Sequence, residues 1–196
     1  MTDGSLRFKE IEHKYVVDDT FDLARFRDAL AALGPVRSYQ VRVRDRYYLT
    51  DGGLARRFLL RHRFDAQLQQ LTIKALGADT EVRDEINLDL GQHAGDQEVQ
   101  VAAFVAQLGA VWSDTVHKDV DVWYFPDAEV VHYVASSGER SIRCVEFEAT
   151  RGDTVDAALA IVERLERATS FAGHVRAQVS LPQLLFPELV ARLAGV

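Results

Sequence analysis

Charged and apolar residues alternate in several short stretches of this chain, which is the pattern of β-strands with one charged face. The first of these stretches is Glu10-Ile11-Glu12-His13-Lys14. Successive side chains of a strand point to opposite faces, so the two glutamates and the lysine share one face, while Ile11 and His13 share the other. Taken alone, the stretch fits a strand with a solvated outer face. The stretch favours another interpretation than a solvated face only if other strands carry the same pattern with complementary charges.

Four later stretches carry the same alternation. Their polar faces hold, in chain order, Arg61 and Arg63, then Thr72 and Lys74, then Arg83, Glu85 and Asn87, and finally Glu146 and Glu148. Helices with apolar stripes pack on the apolar side of a sheet, so we expect the charged sides to converge in the middle. Clustered carboxylates and cations suit a hard divalent metal and a polyanion. Glutamates would bind Mg²⁺ or Mn²⁺, and arginines and lysines would bind phosphate oxygens.

Hydrophobic periodicity and turn residues divide the chain into strands and helices. The predicted strands span residues 6–17, 36–50, 54–64, 68–75, 82–90, 111–125, 129–135 and 141–149. The predicted helices span residues 21–33, 98–108 and 155–168, and a short helix within 181–193 is disturbed by Pro182 and Pro187. Asp51-Gly52-Gly53 predicts a hairpin turn between the second and third strands.

A faint internal repeat relates the two halves of the chain. Residues 33–38 (Leu-Gly-Pro-Val-Arg-Ser) resemble residues 108–113 (Leu-Gly-Ala-Val-Trp-Ser), and at the same offset Val41 corresponds to Val116. Each copy predicts a helix, a glycine stop and a long strand. We therefore expect two pseudo-symmetric halves that close one sheet, because closure removes both edges and lines the interior with one alternating set of side chains.

The composition predicts one globular domain over residues 1–196. Of the 196 residues 47% are hydrophobic, so the chain can bury one sizeable core. The net charge of -7 argues against a general nucleic-acid surface. Cys144 is the only cysteine, which excludes an intramolecular disulfide framework. No apolar run approaches the length that spans a bilayer and residues 1–4 lack a signal pattern, so a cytoplasmic protein is expected.

Several motifs resemble those of the CYTH family, also called the triphosphate tunnel metalloenzymes. The family signature E-x-E-x-K is present as Glu10, Glu12 and Lys14. Further matches follow in family order between residues 8 and 186: R-x-R at Arg61 and Arg63, L-T-x-K ending at Lys74, R-x-E at Arg83 and Glu85, a lysine at Lys118, E-x-E at Glu146 and Glu148, and a terminal motif at residues 180–185. The ordered set is more specific than any single motif.

The resemblance implies an α+β fold, in which an eight-stranded antiparallel β-barrel forms the triphosphate tunnel and helices pack outside. It implies divalent-metal-dependent hydrolysis of an inorganic, organic or nucleoside triphosphate. The implied ligands of Mg²⁺ or Mn²⁺ are Glu10, Glu12, Glu85, Glu146 and Glu148. The implied phosphate-binding residues are Arg61, Arg63, Lys74, Arg83 and Lys118. Lys14 is the implied catalytic residue, and electrostatic positioning is favoured over base catalysis because the glutamates oppose a depressed pKa.

The chain departs from the family pattern at three positions. Leu49 stands where the family often has an aspartate, Asn87 replaces the third acidic residue of R-x-E-x-E, and Val120 replaces an arginine. Glu129 is a poor match for the acidic residue expected before the last E-x-E. Because each loss removes a metal ligand or a phosphate contact, two alternatives stay open: a class IV-type adenylate cyclase, and a non-catalytic phosphate-binding or regulatory CYTH domain.

The expected partner is a triphosphate-containing small molecule, with neither nucleic acid nor a membrane, and a homodimer is left open. Other conspicuous residues have a simpler interpretation. His13 and His62 fall on the outer faces of their strands, so they are expected to pack beneath helices. Arg42, Arg44 and Arg46 form a stripe that predicts a solvated face.

Overall fold

Over the residues that the computed structural model describes, which are 8–77, 79 and 81–195, eight antiparallel strands close into a barrel. The strands are β1 (Lys9–Val17), β2 (Arg37–Thr50), β3 (Phe58–Phe64), β4 (Gln69–Ala75), β5 (Val82–Asp89), β6 (Ala110–Tyr124), β7 (Ala128–Ser137) and β8 (Arg140–Ala149). They pair in the order β1-β5-β4-β3-β2-β6-β7-β8, and β8 closes the ring on β1.

The helices pack against the outside of the barrel or across one of its ends. They are α1 (Leu23–Ala32), α2 (Asp51–Arg56), α3 (Glu98–Gln107), α4 (Val155–Ala168), α5 (Leu181–Leu185) and α6 (Pro187–Ala194). Leu30 of α1 and Leu165 of α4 are completely buried with Phe147 on the outer face of β8. Val105 of α3 is completely buried with Leu60 of β3. The predicted α+β barrel with external helices is confirmed.

The two halves of the barrel correspond as the internal repeat predicts. Exchanging β1–β4 with β5–β8 preserves the order of strands around the ring. Gly34 and Gly109 follow α1 and α3 with φ of 67° and 74°, the left-handed conformation that glycine adopts without steric cost. The long strands after these glycines, β2 and β6, pair with each other from Arg37 opposite Tyr124 onward.

β2 and β3 pair as consecutive antiparallel strands, but the tight turn predicted at residues 51–53 is wrong, because these residues begin the short helix α2. The Thr50 hydroxyl accepts a 2.9 Å hydrogen bond from the Gly53 amide and caps the helix. A Cβ on Gly53 would lie 2.6 Å from the Phe58 carbonyl oxygen, so the glycine serves a close backbone approach instead of a turn. β3 therefore begins at Phe58, four residues later than predicted.

The last segment of the chain forms two short helices, where the sequence predicts one. α5 ends before Pro187, which begins α6. Both helices pack on apolar side chains that point into the barrel, so Leu185 and Leu189 are buried with Leu49 and Val116. This apolar cluster fills one end of the barrel, which we call the closed end. The opposite end, where β2 begins and β3 turns into β4, is called the mouth.

β1 begins at Lys9, three residues later than predicted, and the remaining predicted elements agree with the structure to within two residues at each end. Residues 6 and 7 of the first predicted strand lie outside the described residues. Within the described ranges, every helix is too short or too polar to cross a bilayer.

Candidate functional site

A cavity of about 480 Å³ lies inside the barrel, and side chains from every strand line it. Alternate residues of a closed sheet point inward, so the charged faces of the strands meet there. The charged lining residues that the sequence singled out, by alternation or by the family resemblance, are Glu10, Glu12, Lys14, Arg61, Arg63, Lys74, Arg83, Glu85, Lys118, Glu146 and Glu148. The structure therefore brings all of the sequence-predicted site residues into one cavity, while their roles stay predictions.

Glu10 on β1 contacts two cations, Lys74 of β4 and Arg83 of β5. Lys74 Nζ donates to Glu10 Oε1 at 2.8 Å, and Arg83 Nη2 donates to Glu10 Oε2 at 2.7 Å. Arg83 also donates to Glu12. Arg83 lies directly opposite Glu10 in the β1–β5 register, so the contact follows from strand pairing. Burial disfavours the charge of Arg83, but the two glutamates raise its pKa above the ordinary value.

Lys14 lies between carboxylates of two strands. Its Nζ is 2.9 Å from Glu12 Oε1 and 3.0 Å from Glu146 Oε1. Tyr133 donates a 2.6 Å hydrogen bond to the same oxygen of Glu146. Burial by itself would lower the pKa of Lys14, but Glu12 and Glu146 together raise it above the ordinary value. Lys14 therefore keeps its proton, which favours a positioning role over base catalysis.

Glu85 on β5 contacts two cations, Lys74 and Arg61. Lys74 Nζ lies 2.8 Å from Glu85 Oε2, and Arg61 Nη2 lies 3.4 Å from Glu85 Oε1. Arg61 also donates to the Thr72 hydroxyl at 3.2 Å. Burial raises the pKa of Glu85, but Lys74 and Arg61 outweigh it and lower that pKa below the usual range. Asn87 donates to Glu85 Oε1 at 3.0 Å and thus acts as a neutral neighbour.

Asp45 on β2 is a site residue that sequence reasoning missed. It is completely buried, and its carboxylate accepts two hydrogen bonds from Arg63, of 2.8 and 2.9 Å. Lys118 Nζ lies 2.7 Å from Asp45 Oδ2. Burial opposes ionisation, but Arg63 and Lys118 hold the pKa of Asp45 well below its usual range. The alternation of Val43, Asp45 and Tyr47 carries the signal, and the flanking stripe of arginines obscured it.

Glu12 and Glu148 lie directly opposite each other on β1 and β8, yet they ionise differently. Burial and the neighbouring Glu10 raise the pKa of Glu12, but its cation partners outweigh both and lower it to about 2. The Glu148 carboxylate forms no hydrogen bond or ion pair with the side chain of any described residue. Burial and nearby carboxylates, Glu10 and Glu129 foremost, raise its pKa well above the usual range.

Glu129 also lines the cavity, although its register could not be fixed from the sequence. It lies directly opposite Glu148 in the β7–β8 register. Burial raises the pKa of Glu129, and the Tyr124 hydroxyl offsets part of that increase. Two buried carboxylates side by side repel each other when no cation lies between them. Negative charge is therefore in excess at this point of the wall.

The three departures from the CYTH pattern lie at different depths. Leu49 is buried in the apolar cluster of the closed end. Asn87 is exposed near the end of β5. Val120 lines the cavity itself, two residues beyond Lys118 toward the mouth. Of the three, Val120 changes the chemistry of the cavity wall most directly.

Residues expected on the outer face of the sheet do pack there. His13 Nδ1 lies 2.6 Å from Glu166 of α4, and His62 is completely buried. Arg44 and Arg46 form ion pairs with carboxylates at the start of α3, so the basic stripe is partly neutralised and less solvated than predicted. These residues hold helices on the barrel and do not reach the cavity.

Divalent cations fit the cavity by donor chemistry. Among the described residues, no three carboxylate, imidazole or thiol groups are already arranged to hold a metal ion. Glu129 and Glu148, however, supply carboxylate oxygens that form no ion pair with a described residue, and burial together with neighbouring carboxylates raises the pKa of both groups. Carboxylate oxygens are the ligands that Mg²⁺ and Mn²⁺ prefer. A cation at this point would remove the repulsion between them.

Comparison with known proteins identifies the fold. No family model matches the sequence, and no curated protein matches it significantly. A protein of Pyrococcus horikoshii OT3 superposes with a TM-score of 0.71 at 16% identity, over 90% of this chain and 99% of its own. A candidate adenylate cyclase from Bacillus halodurans gives a TM-score of 0.57 at 17% identity, over 91% and 99% of the two chains.

A third solved structure, from Hippeastrum, is a candidate adenylyl cyclase described as having a dominant triphosphatase activity. It gives a TM-score of 0.51 at 15% identity, over 82% of this chain and 88% of its own. At these identities the likeness establishes a shared fold and nothing further about activity.

Proposed function

We propose that this chain is a member of the CYTH family that hydrolyses a triphosphate inside the barrel with the help of a divalent cation. The observation that carries the proposal is one cavity in which cations on β3, β4 and β5 accompany two carboxylates, Glu129 of β7 and Glu148 of β8, that form no ion pair with a described residue. In the proposed reaction, water adds to the terminal phosphorus and the bond to the bridging oxygen breaks. Orthophosphate and the remaining diphosphate are the products.

Five cationic side chains would bind the phosphate oxygens. They are Arg61, Arg63, Lys74, Arg83 and Lys118. Each of them is paired with a carboxylate inside the barrel. Substrate binding would exchange a carboxylate oxygen for a phosphate oxygen, so no cation has to lose its partner. Such charge-assisted hydrogen bonds are stronger than neutral ones.

The carboxylates released by that exchange become available to a metal ion. The residues proposed to hold Mg²⁺ or Mn²⁺ are Glu10, Glu12, Glu85, Glu146 and Glu148, and we add Glu129 because it faces Glu148. When bound, the metal would offset the negative charge that develops on the transferred phosphoryl group. Triphosphate and metal should therefore bind cooperatively, because the triphosphate pairs with the cations and the metal pairs with the carboxylates that those cations release.

Lys14 would act at the centre of this arrangement as a fixed ammonium group. Glu12 and Glu146 hold its Nζ and raise its pKa, so it is protonated at neutral pH. A protonated lysine can orient a phosphate oxygen and offset its charge, but it cannot remove a proton from water.

Phosphate release from inorganic triphosphate, thiamine triphosphate and ATP, each with Mg²⁺, Mn²⁺ or excess chelator, tests the proposal. We expect release with metal and a fall of roughly a hundredfold or more in chelator, because a bound metal supplies several kcal/mol of charge stabilisation. Product identification separates the alternatives. Cyclic AMP and diphosphate from ATP would establish a cyclase, and no turnover of any triphosphate with either metal would leave a phosphate-binding domain.

A further inference from the structure

One side of the cavity, which we call the apolar wall, carries no charge. It is made by Tyr39 and Val41 of β2, Val120, Val122 and Tyr124 of β6, and Val131 of β7. These residues are contiguous, because Val41 lies opposite Val120, and Val122 is flanked by Tyr39 on one side and Val131 on the other. Side chains directly opposite each other on neighbouring strands are in contact.

Cations lie deeper in the barrel or across the cavity from this wall. Along β6 the inward positions run from Lys118 to Val120 and Val122 and then to the mouth. The valine at position 120 stands where the CYTH pattern has an arginine, so this departure extends the apolar wall. Phosphate oxygens placed against it would lose water without gaining a hydrogen-bond donor, which is unfavourable. A bound triphosphate would follow the cations and leave the apolar wall uncovered.

Polar groups at the mouth are already engaged with one another. Arg37 donates to Gln67 Oε1 at 3.1 Å, and its guanidinium carbon lies 4.3 Å from the centre of the Tyr39 ring. The Asp65 carboxylate accepts hydrogen bonds from the amides of Gln67 and Leu68, at 2.7 and 2.8 Å. Recognition at this end therefore depends more on apolar contact than on hydrogen bonds to an incoming polar group.

From these observations we infer that the substrate is a triphosphate monoester whose organic group is apolar, is the size of an aromatic ring and packs on the apolar wall. The inference rests on the proposed function and narrows it. Tyr39 and Tyr124 are stacked, with ring centroids 6.0 Å apart and planes inclined by 24°, so the apolar wall ends in an aromatic pair at the mouth. A cavity of about 480 Å³ falls within the range of roughly 300–1,000 Å³ that suits organic ligands. Inorganic triphosphate has no group that could cover this wall.

Two synthetic monoesters of equal charge, methyl triphosphate and phenyl triphosphate, test the inference. Phosphate release from each is measured with Mg²⁺ or Mn²⁺, and kcat/KM is compared. We expect kcat/KM to be roughly tenfold higher or more for phenyl triphosphate, because burial of its ring is an interaction that the methyl ester lacks. Equal values for the two esters would overturn the inference while leaving the proposed triphosphatase activity intact. No turnover of either ester or of inorganic triphosphate would overturn the proposed function, and the inference with it.

Variants locate the effect on the apolar wall. Val→Thr keeps the side-chain shape but replaces a methyl group with a hydroxyl group. The double variant Val41→Thr and Val120→Thr should reduce the phenyl-to-methyl ratio of kcat/KM to less than about threefold. Val16→Thr is the matched control and should keep the wild-type ratio, since Val16 is exposed near the end of β1 and does not line the cavity. Each single Thr variant is measured as well, in case the double variant does not fold. A wild-type ratio in all folded wall variants would place the organic group elsewhere.

Discussion

β3 and β4 occupy, in the first half of the barrel, the places that β7 and β8 occupy in the second, yet their inward charges are opposite. The inward charged residues are Arg61, Arg63 and Lys74 on the first pair of strands, and Glu129, Glu146 and Glu148 on the second. The two pairs hold equivalent places in the order of strands, so their opposite charge comes from the side chains. A doubled fold can thus place a cationic and an anionic surface inside one cavity without any change of topology.

The two strand pairs also differ in how well their charges are compensated. Each cation of β3 and β4 has a carboxylate partner, such as Asp45 for Arg63. Glu129 and Glu148 have no such cationic partner among the described residues, and their pKa values are raised. The charges of the cationic side are therefore compensated by carboxylates, whereas Glu129 and Glu148 on the anionic side would be compensated by a proton or a metal ion. The following predictions test this difference.

Asp45→Asn should produce the largest effect, on stability. It removes the buried charge that compensates Arg63 and Lys118 while preserving side-chain size, and breaking a buried ion pair costs about 3–5 kcal/mol of unfolding free energy. Chemical denaturation measures the loss. Asp119→Asn is the control, since Asp119 pairs with Arg42 at 73% and 90% side-chain exposure and should matter by less than about 1 kcal/mol. Similar losses in the two variants would show that the cationic side does not depend on its buried partner.

Arg61→Ala should weaken substrate binding in a way that metal cannot repair. The change deletes a charge-assisted hydrogen bond to phosphate, worth about 1.5–3 kcal/mol, so the substrate concentration at half-maximal rate should rise roughly tenfold or more. Substrate titration at saturating metal measures this. Arg44→Ala removes an arginine from the outer face and should leave the value unchanged. If excess Mn²⁺ restored the substrate affinity of the Arg61 variant, Arg61 would not be a phosphate-binding residue.

Glu148→Gln should act on the metal requirement instead. It removes one carboxylate charge at constant size and leaves the phosphate contacts in place. The metal concentration needed for half-maximal activity should rise, by roughly tenfold if one carboxylate contributes about 1.4 kcal/mol to metal binding, and excess Mn²⁺ should restore part of the rate. A metal titration at saturating triphosphate measures the shift. A variant that loses only substrate affinity would argue against metal binding at Glu148.

The pH dependence of stability should separate Glu12 from Glu148 by its sign. The pKa of Glu12 is lowered from 4.5 to about 2, so its stabilising charge is present above pH 4.5 and is lost as the pH falls toward 2. The pKa of Glu148 is raised, so its favourable protonated form is present below pH 4.5 and is lost as the pH rises through the raised value.

Glu12→Gln should therefore lower the Tm near pH 7 and lose this effect in acid. Glu148→Gln should raise the Tm near pH 8 and have little effect near pH 4. The Tm of each variant is measured by thermal unfolding in the presence of a chelator, so that bound metal does not contribute to the stability. If Glu148→Gln destabilises the protein at pH 8, this carboxylate has a partner that its raised pKa does not reveal.

The sequence predicts the inward residues of most strands because period-two alternation is independent of long-range contacts. Asp45 was missed because the charged stripe of Arg42, Arg44 and Arg46 dominates the pattern of β2 and lies on its other face. The register of Glu129 depends on how β7 pairs with β8, which a single strand does not reveal. α2 was mistaken for a hairpin because two glycines favour a turn locally, whereas here Gly53 is needed for its approach to Phe58. The side-chain direction of Asp45, the register of Glu129 and the helix α2 all depend on contacts between strands, which a local sequence pattern does not contain.

The closed end of the barrel gives the proposed reaction a direction. Among the described residues, α5 and α6 together with inward apolar side chains fill that end, so substrate and products share the mouth as their route. In a passage with one opening, the part of a molecule that enters first is the last to leave. If the terminal phosphate is the leading group, orthophosphate is formed behind the organic diphosphate and departs after it. The enzyme would then pass through a state that holds orthophosphate alone, which makes orthophosphate the product that competes with the next substrate molecule.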